Sequence, residues 1–555
     1  MSKKILTAWQ RFINLLKLDK KDLKQVFFYA IFAGLVNLSL PLGIQAIINL
    51  LQAAQVSTSW IVLVILVTLG VIFVGVLQLM QIRIIENIQQ KIFTRASFDF
   101  AYRLPKIKMS ALRGYYPPEL VNRFFDTVIV QKGLAKILVD FPAAILQIIF
   151  GLLLLSFYHP FFIIYGVLLI VLMYIVFKYT AEKGLKTSIK ESDHKYRVAH
   201  WLEEIARSIV SFKLSGKTNL ALSKNDQLVT DYLDARESHF KVLVMQFIQL
   251  IGFKVLVTFG LLVIGGALVL NQQMNIGQFV AAEIIILLVI NSVEKLILGL
   301  ETFYDVLTSI EKLGKVVDKE IEPQDGEIID FDNKEFNLEF ENIYYEVPDK
   351  ETPILQNINL KINNKDRILV NGTNGSGKTS LLKLISGIIQ PTKGNVFVNN
   401  HALVSLNLNQ YRAHLGQTLE EETPFEGTLK DNITFGDPSI SKSDLDWAIQ
   451  SVGLSNYVKH LPKGLNTILR PEGKEISYTT AKKIILARAI IKKPKLLVLK
   501  EPLDHFDQKE ASKIIDFLID KKHDWSLIVV SQNQLWENKL SKVVSLDNGQ
   551  IINNK

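Results

Sequence analysis

The chain has no cysteine, so disulfides and thiolate metal sites are excluded. No cleavable secretory signal is expected at Lys3 and Lys4, because no compact apolar core with a small-residue cleavage site follows them. Nor does a basic-aromatic stretch of the kind that binds nucleic acid stand apart from the apolar segments. The formal charge of +9 gathers instead beside long apolar runs, where membrane topology explains it better than a nucleic-acid partner.

What is there divides in two. At 555 residues the chain has room for two to four domains. Up to about Val317 long apolar runs dominate; beyond it the sequence is mixed and charged, as in a globular domain. Near the start, Ile5, Leu6, Trp9, Phe12, Ile13 and Leu16 recur at helical spacing, which predicts an amphipathic helix lying on a membrane surface. Crossing a bilayer takes about 20 mostly apolar residues. Six stretches qualify: roughly 26–51, 60–82, 136–158, 161–179, 244–270 and 279–300.

The connections between these spans alternate. Residues 52–59, 159–160 and 271–278 are short and lack Lys or Arg, whereas 83–135 and 180–241 are long, basic and helix-patterned. The positive-inside rule therefore places both termini and both long connections in the cytosol. The turns at Tyr115–Leu120 and Ala206–Ile209 are candidates for docking on a cytosolic domain. Charges within the spans are costly in lipid and face a protein or aqueous interior. Lys254 and Glu294 are placed to form an ion pair, and Glu283 is expected to face a central cavity.

Residues 318–334 are acidic, contain Pro323 and Gly326, and break the apolar pattern. They predict a linker at 318–335 between a membrane domain, 1–317, and a second domain, 336–555. In the latter, strand-like runs at 337–344, 354–362, 367–370, 496–499 and 527–530 alternate with helices. Between the third run and the next helix lies Asn371-Gly372-Thr373-Asn374-Gly375-Ser376-Gly377-Lys378-Thr379-Ser380. Gly372, Gly377, Lys378 and Thr379 fill the G-x-x-x-x-G-K-[ST] spacing. Glycines let backbone N–H groups curl around phosphate oxygens, Lys378 reaches the outer phosphates, and the Thr379 hydroxyl suits Mg²⁺. The fold class that follows is a membrane α-helical domain of six spans joined to an α/β phosphate-loop domain.

Six spans with long inner connections, an acidic linker and this ATPase-type domain resemble an ABC exporter half-transporter, and the resemblance covers essentially the whole chain. It implies a homodimer, or a heterodimer with another half-transporter, with two ATP held between head-to-tail ATPase domains. It also implies Mg²⁺ as a cofactor, a multi-pass place in a membrane such as the bacterial inner membrane with the ATPase domain cytosolic, and export by alternating access. Ala487-Arg488-Ala489 matches the family's A-R-A run, and Thr428–Ile433 resembles its T-I-R-x-N-I run. By alignment from these anchors, Glu501 falls at the catalytic base, Ser477 in the signature motif and Asp507 at the D-loop aspartate.

The departures are many. Lys500 stands where the family has the Walker B aspartate that holds Mg²⁺ through water, and Glu420 at the Q-loop glutamine. Gln532 replaces the switch histidine, Val347 the adenine-stacking aromatic (with Tyr344 and Tyr345 close by), and Tyr478 and Thr479 two signature glycines. Lys500 either serves as a counter-charge in place of Mg²⁺ or pairs with Glu501 and removes the base. Glu420 is a better Mg²⁺ ligand than an amide, so Thr379 and Glu420 are the candidate metal ligands. Gln532 can donate a hydrogen bond to phosphate but carries no proton charge. The expectation is an exporter subunit that binds ATP and hydrolyses it weakly, with Lys378, Glu501 and Gln532 as the catalytic set. A pseudo-ATPase and a lipid flippase are the rivals. Peptide, protein, drug and lipid all remain open as substrate, and with no peptidase-like domain before the first span, leader cleavage is not expected.

Overall fold

The computed structural model describes residues 6–52, 58–331, 335–348, 350–540 and 542–554. Two compact units emerge: Met1–Pro105 with Gly114–Lys319, and Lys106–Arg113 with Glu320–Lys555. The expected outer connection at 52–59 falls mostly outside the described residues, as do 332–334 of the linker.

The first unit is helical. Helix α1 (Ala8–Leu18) starts at a capping box in which Thr7 and Gln10 satisfy each other's backbone N–H groups. Its Phe12 and Trp9 rings pack against Phe303, and Arg11 reaches Asp318 at 2.5 Å. The face predicted for a membrane surface thus lies partly on protein, with Trp9 half exposed.

The first predicted span is two helices, α2 (Lys20–Asn37) and α3 (Ser39–Gln52). Pro41 explains the break: it has no N–H for the carbonyl of Asn37, and its ring crowds that carbonyl. Then come α4 (Thr58–Arg103), α5 (Asp126–Ser156), α6 (Phe161–Arg207), α7 (Leu220–Gly260), a π-helical turn (Leu261–Gly265), α8 (Gly266–Leu270) and α9 (Ile276–Val317). At 1.5 Å per residue the 46 residues of α4 extend about 70 Å, over twice the hydrocarbon thickness of a bilayer. The long connections are therefore continuations of the spans.

Five segments among the described residues are long and apolar enough to cross a membrane, and Phe161–Val171 is a shorter apolar stretch at the start of α6, where the remaining span was predicted. Leu79, Ile164 and Phe259 are exposed, as side chains facing lipid are. The interior is built around α9, whose Ala281, Ala282, Ile285 and Val289 are buried.

The second unit is α/β. Strands β1 (Leu338–Tyr345), β2 (Leu355–Ile362), β3 (Arg367–Gly372), β4 (Lys393–Val398), β5 (His401–Ala402), β6 (Leu415–Thr418), β7 (Leu496–Lys500), β8 (Ser526–Val530), β9 (Lys542–Asp547) and β10 (Gln550–Asn554) form two main sheets. One is antiparallel, ordered β2-β1-β4-β5; the other runs β10-β9-β3-β8-β7-β6 and is parallel except for β10. Ile368–Val370, Leu496–Leu499 and Leu527–Val529 are fully buried, which is why these strands read as unbroken apolar runs.

This unit also takes in an earlier piece of chain. Lys106–Arg113 joins it through an antiparallel bridge, Ile107 to Ile321, with Lys108 N to Glu320 O at 2.9 Å and Glu322 N to Lys106 O at 2.7 Å. The Arg113 guanidinium donates to the Tyr345 hydroxyl at 3.3 Å. The segment lies just ahead of the turn singled out at Tyr115.

Candidate functional site: a phosphate-loop cavity

Parallel strands deliver their C-terminal ends to one edge of the sheet. There β3 runs into the loop before helix α10 (Lys378–Ile385), β7 ends at Lys500, and β8 leads to Ser531 and Gln532. A cavity of about 710 Å³ opens at this edge, lined by Asn374, Ser376, Lys378, Thr379, Lys500, Glu501 and Gln532 among others. Gly375, Gly377 and Ser380 line it too, whereas Gly372 and Thr373 do not.

Two glycines are dictated by space. Gly372 has φ 145°, and a Cβ there would lie 2.1 Å from the Leu546 carbonyl oxygen. Gly377 has φ 98°, and its Cβ would lie 2.6 Å from Leu355 Cδ2. The Ser376 hydroxyl is buried without a hydrogen-bond partner among the described residues, so the loop itself holds a polar group awaiting one. Lys378 Nζ arches back to the carbonyls of Gly372 and Thr373, each at 2.7 Å. Burial lowers the Lys378 pKa; the Glu501 charge opposes that shift and the Lys500 charge adds to it.

Glu501 has a left-handed backbone, φ 39°, which places its carboxylate across the strand ends. It accepts from Ser531 Oγ at 2.7 Å and from the Gln532 N–H at 2.9 Å. Gln532 Nε2 lies 3.4 Å from Asn374 Oδ1, linking this turn to the phosphate loop. Lys500 does not pair with Glu501. Its ammonium is bound by Glu420, from the loop after β6. The register explains the meeting: Thr418 pairs with Leu499, so Glu420 and Lys500 leave neighbouring parallel strands side by side. The hydrogen bond from Lys500, then its charge, holds the Glu420 carboxyl below its ordinary pKa.

Other expected residues lie elsewhere. Glu420 and Ser477 do not line the cavity. Ser477 caps helix α11 (Tyr478–Ile490), accepting from the Thr480 N–H at 3.1 Å, and Tyr478 is exposed with its ring against His505. Asp507 caps the helix Gln508–Ile519. Neither Val347 nor Tyr344 nor Tyr345 lines the cavity; Lys350 and Ile354 do, and so do Asp504, His505 and Asn533. Those five carry no spacing pattern of their own and were not legible before the fold was.

In the first unit a second cavity, of about 660 Å³, lies among α2, α4, α5 and α9. Asn37, Gln78, Gln81, Asp140, Gln147 and Asn291 line it, beside Glu294 and Lys295. Lys254 Nζ on α7 meets Glu294 Oε2 at 2.7 Å, as the spacing suggested. Glu283 is half-buried and does not line this cavity.

A bundle of membrane-length helices with a polar cavity, followed by a phosphate-loop α/β domain, defines a multi-pass membrane protein with an ATP-binding domain. The family models agree. The ABC transporter transmembrane region matches residues 25–293, and the ABC transporter domain matches 355–504. The chain belongs to the ABC transporter superfamily and has the organisation of an exporter half-transporter. It is 27% identical over 287 residues to the alpha-hemolysin translocation ATP-binding protein HlyB of Escherichia coli O157:H7, a match that takes in 52% of this chain and 40% of that protein. It is 25% identical over 289 residues to the leukotoxin translocation ATP-binding protein LktB of Mannheimia glucosida, covering 52% and 41%. Among solved structures, a bacterial Atm1-family ABC exporter with ATP bound superposes with a TM-score of 0.83 at 15% identity, over 96% of this chain and 95% of that one.

The Mg²⁺ that the family implies does not fit the residues present. Thr379 offers a hydroxyl, but an ammonium stands at the end of β7 and the nearby Glu420 carboxylate is bound to it. Glu501 is held by Ser531 and Gln532, and Asp504 lies 3.5 Å from His505. Mg²⁺ at such a site is held by one or two carboxylates together with substrate phosphates and water, and where β7 ends the carboxylate is replaced by the Lys500 ammonium.

Proposed function

We propose that the chain is one subunit of a dimeric exporter that binds ATP on the cytosolic side of a bacterial inner membrane and moves a substrate outward by alternating access. The observation that carries this is the complete phosphate loop beside a fixed Glu501, in a chain whose other unit has membrane-length helices around a polar cavity. Intramembrane amides and charges at that cavity are costly unless they serve a passage. The toxin-translocation proteins it is similar to make a peptide or protein the first substrate class to test.

Hydrolysis is expected to be slow. Glu501 is the group positioned to polarise a water, with Lys378 and loop N–H groups stabilising phosphate charge. Gln532 orients the Glu501 carboxylate through its backbone N–H. The Lys500–Glu420 pair favours a second reading, a regulatory subunit that binds ATP without turnover. The deciding measurement is the ATPase rate of the purified chain in lipid, beside Glu501→Gln and Lys500→Asp. Turnover abolished by Glu501→Gln establishes a working motor. No turnover, with ATP binding that Lys378→Ala removes, establishes the second reading.

A further inference from the structure

We propose that this site takes up the triphosphate of ATP without a divalent cation, the Lys500 ammonium supplying the positive charge that a metal would bring. The inference rests on the ATP-binding reading above and deepens it.

Three ammonium groups line one cavity, Lys350 among them; the two set by the sheet edge are Lys378 from the phosphate loop and Lys500 from the end of β7. They approach from different strands, so a chain of phosphates entering between them meets cationic donors on two sides. An ammonium binds phosphate as a point charge and offers three donors. Lys500 is mostly buried, its side chain 18% exposed, so its charge acts where water screens it little. The buried hydroxyl of Ser376 and that of Thr379 add neutral donors in the same cavity.

Glu420 fixes the position of Lys500. Its carboxylate is itself largely exposed, 68%, and lies off the cavity, so it steadies the lysine stem without placing negative charge among the phosphates. A metal ion entering beside Lys500 would meet like charge, and the cavity's two carboxylates are already engaged, Glu501 by Ser531 and Gln532 and Asp504 beside His505. Metal-free nucleotide, with the undiminished charge of its phosphates, is the species this cavity complements.

The test is equilibrium binding of radiolabelled ATP to the full chain in lipid nanodiscs, in excess EDTA and in excess Mg²⁺. Wild type is expected to bind with affinities that agree within about threefold in the two conditions, a difference under ~1 kcal/mol. Lys500→Asp is expected to bind at least about tenfold more tightly with Mg²⁺ than with EDTA. Lys500→Gln, a milder change that keeps the test open if the aspartate variant misfolds, should lose about tenfold in EDTA. Wild-type binding that disappears in EDTA and returns with Mg²⁺ overturns the inference while leaving ATP binding intact. Unaltered binding by Lys500→Gln in EDTA overturns it too. No binding in either condition overturns both this inference and the ATP-binding reading beneath it.

Discussion

A single side chain decides how much of a local motif survives in a fold. Gly377 begins α10 at a positive φ and lies against Leu355, so Gly377→Ala meets backbone strain and a steric clash at once. The left-handed strain alone costs about 1–2 kcal/mol, and the variant should show a lower thermal midpoint together with weakened ATP binding. Gly375→Ala is the contrast, since a Cβ there meets nothing within 4 Å; its φ of 83° still strains it, but it should lose less. The phosphate loop was legible because its glycine spacing is local, although the close approaches that require Gly372 and Gly377 come from Leu546 and Leu355, both outside the loop. The partner of Lys500 was not. Glu420 lies 80 residues away in sequence, and only the pairing of β6 with β7 brings them together. Sequence left two roles open for Lys500, and the strand register removes the one that would have disabled Glu501.

At the scale of elements, helix ends carried the less legible information. Hydropathy marks where a chain crosses lipid but is blind to a break such as that between α2 and α3, which follows from one proline. Nor does it give surroundings: Glu283 and Glu294 lie about three turns apart on nearly the same face of α9, so depth rather than rotation puts Glu294 at the cavity and leaves Glu283, expected there, off it. The Lys254–Glu294 pair joins α7 to α9 and offers a test at this scale. Removing one partner leaves a charge uncompensated in a poorly solvated place, a loss of about 3–5 kcal/mol where burial is complete. Both groups are about one-third exposed, so the loss here should be a fraction of that. Lys254→Met and Glu294→Gln should each lower the thermal midpoint in detergent, and the double variant should recover part of the loss. Additive losses would show that the pair is not coupled.

For the whole molecule, composition draws one boundary, at residue 318, whereas the second compact unit takes in Lys106–Arg113 as well as Glu320–Lys555. The ATP-binding unit includes Lys106–Arg113, so a fragment beginning at residue 320 lacks the strand partner of Ile321. Such a fragment should melt at a lower temperature than the same fragment supplied with a peptide spanning residues 104–114, and differential scanning fluorimetry would read the difference. Equal midpoints with and without peptide would mean that the bridge contributes nothing.

That bridge has a consequence for the newborn chain. Lys108 and Glu320 are 212 residues apart. At the usual pace of synthesis, about 5–20 residues per second, roughly 10–40 s separate their emergence from the ribosome. Throughout that interval Ile107 has been made and its strand partner has not, while the remaining spans enter the lipid. The ATP-binding unit therefore cannot close until the membrane helices encoded between its two pieces have been synthesised, and a ribosome that stalls among them leaves a nucleotide-binding unit that never begins to form.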